Sequence, residues 1–284
     1  MEFSLPLKSK INVPVTLEII QFSDALNMNI IVTNLGFDYY LRFKGKNFLI
    51  VVSFPSEISS TVNVNIPTNA SEGFEYFATM QITNFLSLND NLAPFYKLAE
   101  EDPVMKPILK LFKGVHQIKF QTPFTAAAWA IMSQRDQHST SIKFMKELLV
   151  NNAYPTPEDI LNHSQDQLEK VVHMARRAQS LLNVAQDFAP SYYQDLNLFE
   201  NMETKDIYDH LTSISGVGEW SARFTLLRGL GRNNILPTRQ NFSRRFVQNN
   251  YGKNQWENMY DYYGNYRGYW MLYQMYNAQY HNAV

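Results

Sequence analysis

Residues 211–232 read LTSISGVGEWSARFTLLRGLGR and constrain the fold of this chain more than any other segment. An apolar stretch ends in Ser215-Gly216-Val217-Gly218, and a second helical stretch follows with Trp220, Phe224 and Leu227 on one face and Arg223 toward another. Two glycines one residue apart let the backbone turn tightly and approach a ligand with no Cβ in the way. Unpaired N–H groups at the start of the second helix then point at an anion. Gly-Val-Gly alone fits any helix–helix turn. With Leu211 and Ile214 before it and Trp220-Ser221-Ala222 after it, the segment reads as a hairpin of two packed helices.

The hydrophobic period divides the rest of the chain. Strand-like runs fill residues 1–68: 15–20, 30–33, 39–43, 47–52 and the alternating 61–66, punctuated by Gly36, Gly45 and Pro55. From about Gly73 the period becomes helical, with Phe74, Phe77, Ile82, Phe85 and Leu86 recurring at three and four residues. Proline and polar breaks then separate a succession of helices. Thr156 is placed as an N-cap with Pro157 at the first helical position. The expected organisation is α+β: a mainly β domain over 1–72, then a two-lobed all-α body over 73–284. Within that body, 120–205 form a middle lobe, 206–232 the hairpin, and 73–119 with 233–284 a second lobe.

At 284 residues, 45% apolar and 18% charged, the chain supports a substantial core and is not of disordered type. It has no cysteine, which excludes disulfides, thiolate–zinc sites, cysteine nucleophiles and cysteine-ligated iron–sulfur clusters. No run approaches the roughly 18 apolar residues of a membrane span, and no signal peptide is apparent, so the cytoplasm is the expected compartment. The six histidines are singletons without metal-ligand spacing, which leaves no catalytic metal to expect. Net charge is −1, yet no carboxylate lies between Glu219 and Glu257, where Arg223, Arg228, Arg232, Arg239, Arg244, Arg245 and Lys253 occur. Such a segment is either a solvated face or an electrostatic footprint for a phosphate backbone. Its start at the hairpin favours the footprint.

The hairpin resembles a helix–hairpin–helix, which grips a DNA phosphate with main chain. Residues 236–245, LPTRQNFSRR, resemble the Pro-containing loop and following helix of the helix–hairpin–helix–Gly/Pro/Asp DNA glycosylases. Residues 124–134, FTAAAWAIMSQ, are similar to the helix carrying that family's DNA-probing loop, and 154–157 with 173–178 fit its middle helices. The alkylated-base (3-methyladenine) branch, which adds an N-terminal β-rich domain, is the best match. The resemblance implies a monofunctional base-excision repair enzyme. It would flip alkylated purines out of duplex DNA and cut the N-glycosidic bond, acting as a monomer on damaged double-stranded DNA, with no membrane partner and on the nucleoid during repair.

Roles follow from that resemblance. Gly216 and Gly218 would donate amides to a phosphate, and Gln134, Arg135, Arg244 and Arg245 would contact DNA. Arg135 either fills the gap left by the flipped base or pairs with Asp136 or a phosphate. Trp220, Phe224 and Tyr273 would wall the base pocket, where an electron-rich ring suits a cationic lesion. The family's glycosylase-lyases carry their Schiff-base lysine where this chain has Trp220, so imine chemistry is not expected. No cofactor is implied for the chemistry. The carbonyls of Thr212, Ile214 and Val217 would hold a structural monovalent cation.

One departure bears directly on catalysis. The family's Asp, which stabilises the cationic sugar, falls on Gln240, and neither Arg239 nor Asn241 replaces its charge. Three readings stay open: an enzyme for labile cationic adducts helped by Asp136 or Asp261, a degenerate protein that binds DNA or lesions without excising, or a disabled variant.

Overall fold

The computed structural model describes residues 1–135, 137–193, 199, 201–237 and 241–283, with backbone alone at 241, 242 and 280–283. Five strands, β1 (Glu2–Asn12), β2 (Ile30–Thr33), β3 (Gly36–Phe43), β4 (Lys46–Ser53) and β5 (Ile58–Asn65), form one antiparallel sheet in the order β1-β5-β4-β3-β2. Side chains alternate across it: Phe37, Tyr39, Leu41 and Phe43 of β3 and Phe48, Ile50 and Val52 of β4 turn inward. Pro6, which cannot donate to a ladder, lies on the edge strand β1, whose register shifts between Pro6 and Ile11.

The run 15–20, expected as a strand, is part of helix α1 (Val13–Phe22). The Asn12 side chain caps it by accepting the Val15 N–H at 3.4 Å, and Pro14 sits in its first turn. Val13, Thr16, Leu17 and Ile20 are buried at helical spacing. Cap and tertiary packing outweigh the β propensity of Val, Thr and Ile here.

Thirteen further helices follow among the described residues: α2 (Phe74–Phe85), α3 (Ala93–Glu101), α4 (Met105–Phe112), α5 (Pro123–Met132), α6 (His138–Glu147), α7 (Pro157–Leu161), α8 (Gln165–Val172), α9 (Ala175–Phe188), α10 (Thr204–Ser213), α11 (Glu219–Arg228), α12 (Asn241–Asn250), α13 (Trp256–Tyr263) and α14 (Arg267–Ala283). Beyond β5 the described residues hold only an isolated bridge, Val150 to Ala153, and no further sheet. The α+β architecture expected from the change of period is the one observed.

Two cores hold these elements. One runs from the sheet through α2, whose Phe74 and Phe77 pack on Phe43 and Phe48, into the middle helices and the hairpin. The other joins α3, α4 and α14 around Phe95, Tyr269, Trp270 and Tyr273. Every residue of α5 is buried, and α5 packs against both α9 and α11, making it the hub beneath the hairpin. The sheet is clamped to the middle helices by Arg42 of β3, whose Nε and Nη2 donate to the two Asp159 carboxylate oxygens at 2.5 and 2.7 Å. Asp159 also accepts from the Thr156 N–H at 2.8 Å, closing a capping box at the start of α7.

Candidate functional site

The turn from α10 to α11 is fixed from below by side-chain amides. Gln134, at the end of α5, donates from Nε2 to the Gly216 carbonyl at 2.9 Å and to Ser221 Oγ at 3.1 Å. Asn183 of α9 donates to the Ser215 carbonyl at 3.0 Å. Gln134 was expected to face DNA; instead its amide is spent on the hairpin, and its own carbonyl accepts from Arg177 at 3.0 Å. Arg135 follows as an exposed residue in the left-handed region, φ 61°, and Asp136 lies outside the described residues.

The two glycines differ in purpose. Gly216 has φ 98°, and a Cβ there would come within 2.1 Å of Ser180 Oγ, so glycine is required by packing on α9 and by the turn. Gly218 is extended, φ −90° and ψ 175°, and a Cβ on it would meet nothing within 4 Å. The amides of both, and those of Glu219 and Trp220 in the first turn of α11, have no backbone partner among the described residues. They form a cluster of free donors at a positive helix end.

Trp220, Phe224 and Arg228 are spaced by four and lie along the face of α11 that opens into a cleft of about 430 Å³. That size suits a single nucleobase with its sugar. Trp220 and Phe224 stack with centroids 5.1 Å apart, Phe120 lies 5.7 Å from Phe224, and Trp129 lies 5.9 Å from Phe120. His138 touches the Trp129 edge at 5.4 Å. Leu272 and Tyr276 of α14 supply the facing wall, and Pro237 reaches the edge of the cleft.

Tyr273, expected in this wall, faces the second core. Its ring packs 4.9 Å from Phe95, and its hydroxyl donates to the Val115 carbonyl at 2.9 Å. One residue of helical rotation, about 100°, separates it from Leu272, which does reach the cleft. The N-terminal region also contributes: Phe22, Ser23 and Asp24, at the end of α1, line the cleft. Phe120 and Trp129 were not singled out from sequence, and Arg228 was read only as part of the basic stretch, not as a cleft residue. Only Arg228 carried a signal, as the next residue in the i, i+4 series from Trp220 and Phe224.

The basic stretch does not make one cationic face. Arg223 pairs with Glu219 at 3.1 Å, and Arg232 donates to the carbonyls of Phe199 and Met202. Arg228 points into the cleft, while Arg244 is exposed with its guanidinium 4.5 Å over Trp256. Arg245 is exposed beside it on α12. Desolvation lowers the pKa of Arg228, opposed by the neighbouring Tyr276 phenol. Asp261, one of the alternative carboxylates, lies outside the cleft lining and pairs with Arg267 at 3.2 Å. Thr238, Arg239 and Gln240 fall outside the described residues.

A hairpin with free amides beside an aromatic cleft, built on one buried helix, agrees with the resemblance to the helix–hairpin–helix DNA glycosylases. Among solved structures, a 3-methyladenine DNA glycosylase from Archaeoglobus fulgidus matches with TM-score 0.78 and 18% identity, over 99% of this chain and 100% of that one. An 8-oxoguanine glycosylase/lyase from Clostridium acetobutylicum bound to double-stranded DNA matches with TM-score 0.65 and 16% identity, over 99% and 98%. Among curated proteins, the DNA-3-methyladenine glycosylase of Bacillus subtilis is 23% identical over 244 residues, 75% of this chain and 78% of that protein. DNA-3-methyladenine glycosylase 1 of Schizosaccharomyces pombe is 23% identical over 143 residues, 48% and 62%. No family model matches. The chain has the helix–hairpin–helix glycosylase fold, and its relatives in sequence are DNA-3-methyladenine glycosylases.

Proposed function

We propose that the protein is a monofunctional DNA glycosylase that flips an alkylated purine from duplex DNA into the cleft and releases it as free base. The observation that carries this reading is the Trp220–Phe224 stack beside the free amides of the hairpin. The amides of Gly218, Glu219 and Trp220 would hold a backbone phosphate while the aromatic ladder receives the base. Arg135, exposed at the end of α5, would occupy the vacated stack. In the reaction the C1′–N bond breaks with its electron pair leaving on the base. Water then forms the new C1′–O bond and gives up a proton. Trp220 has no amine to trap C1′, so no imine forms and the strand stays intact.

The hairpin carbonyls suit a monovalent cation. Ile214 O accepts the Val217 N–H at 3.0 Å, whereas the Thr212 and Val217 carbonyls have no backbone partner among the described residues. These three oxygens would hold the ion, and it would reinforce the positive potential at the phosphate. The protein's own part is to keep the turn in place through Gln134 and Asn183.

Gln240 supplies no anion for the cationic sugar, so activity is expected to be greatest on adducts that leave readily. The experiment is base release from methylated duplex DNA, wild type beside Gln240→Asp. Release without strand cleavage supports the glycosylase reading. A tenfold or larger gain with Asp identifies the missing charge as the limiting element, about 1.4 kcal/mol. Lesion binding with no release by either form replaces the reading with a lesion-binding protein.

A further inference from the structure

We propose that Arg228, backed by Tyr276, reads a carbonyl oxygen on the flipped base and so selects alkylated guanines over alkylated adenines. This rests on the glycosylase reading and narrows its substrate class. Arg228 continues the stripe of Trp220 and Phe224 into the cleft, so a base stacked on those rings presents its edge toward the guanidinium. The facing wall offers the apolar Leu272, the weakly accepting Met275 thioether, the Tyr276 phenol and, at its exposed end, Gln279. Among the described residues no carboxylate pairs with Arg228. Among the described residues, the one carboxylate lining the cleft is the exposed Asp24.

A guanidinium has five donors and no acceptor. Its surroundings oppose its charge, burial lowering the pKa and only the phenol opposing that. An acceptor oxygen brought in by the ligand therefore completes a site that the protein leaves incomplete. Guanine carries such an oxygen at C6. Adenine carries an amino group there, which would set donor against donor. A site built to hydrogen-bond one partner rejects the analogue lacking it far more strongly than an apolar pocket does. N-alkylation makes both purines cationic in DNA, so repulsion from Arg228 is common to both and leaves the acceptor as the difference.

The test uses duplex DNA treated with dimethyl sulfate, which carries 7-methylguanine and 3-methyladenine in one sample. Release of each is followed by chromatography and normalised to its amount. Arg228→Met keeps the aliphatic stem and removes the donors. The ratio of kcat/KM for 7-methylguanine to that for 3-methyladenine should fall at least tenfold in this variant. An unchanged ratio overturns the proposal. A second measurement needs no catalysis: calorimetric titration of wild type and of Arg228→Met with each free base. Free 7-methylguanine should bind wild type at least tenfold tighter than free 3-methyladenine, and equal affinities overturn the proposal. If no base is released yet wild type holds the binding preference and Arg228→Met loses it, the glycosylase reading falls while recognition by Arg228 stands; a preference kept by Arg228→Met overturns the proposal.

Discussion

Gly216 and Gly218 stand two residues apart in one turn and answer to different demands. Because a Cβ at 216 would collide with Ser180 and the backbone there is left-handed, Gly216→Ala should cost about 2 kcal/mol of stability, read as a lower midpoint in chemical denaturation. Gly218→Val should leave that midpoint nearly unchanged, since its Cβ enters open space. It should still weaken binding to duplexes of any sequence, because a phosphate contact positions without reading bases. Fluorescence anisotropy on two unrelated duplexes checks this, and undiminished affinity in Gly218→Val would count against the hairpin as the phosphate grip. At the neighbouring Trp220, the side chain stacks on Phe224 and lines the cleft. Trp220→Ala should lower kcat/KM for base release tenfold or more, in line with about 1–3 kcal/mol per stacked base.

Elements are joined here by a few polar ties whose loss has predictable direction. The clamp between β3 and α7 depends on an ionised Asp159. Burial raises its pKa, but hydrogen bonds from Arg42 and Thr156 outweigh burial and hold it below the usual carboxylate range. A depressed folded-state pKa means the stabilisation is present above the unfolded value near 3.9. It is lost as pH falls through the folded value. Wild type should therefore lose stability below about pH 4 more steeply than Asp159→Asn. At neutral pH that variant should be less stable by about 3 kcal/mol, because Arg42 is left half-buried without its partner. Thermal denaturation of both proteins from pH 2 to 7 decides the matter; parallel curves would remove the clamp from the account. The Gln134 and Asn183 ties act on the hairpin turn itself. Replacing both with Ala should speed amide exchange at 215–218 while the slowest-exchanging core amides keep their protection.

For the molecule as a whole, the sheet shares one core with α2, the middle helices and the hairpin. Phe74, Phe77 and Phe85 of α2 pack against Phe43, Phe48, Phe37 and Tyr39 of the sheet. A fragment beginning at residue 73 would expose these rings and should aggregate or lose its near-ultraviolet circular dichroism. A soluble, well-packed fragment would show that the β region is an independent appendage. The sheet also sends the end of α1 into the cleft, with Phe22 74% exposed there, so the N-terminal region shapes the site as well as supporting it.

The chain's own pattern was enough for the features that depend on neighbours in sequence. The change from period two to helical period near Gly73, the Thr156-Pro157 helix start and the glycine turn before Trp220 are all local, and each appears where its residues dictate. The β-branched run at 15–20 misled, because capping by Asn12 and burial of one face decided its conformation. Which face of a helix meets which neighbour was not legible. Tyr273 and Tyr276 are equivalent as letters, yet both join the second core and, of the two, Tyr276 alone also lines the cleft. The same holds for Gln134, turned inward by the carbonyl of Gly216 some eighty residues away, and for the arginines between Glu219 and Glu257. Sequence set their charge. Only the tertiary structure divided them among an ion pair, backbone carbonyls, an aromatic face and the cleft, because partners brought together by packing, not spacing along the chain, determine where a charged group is satisfied.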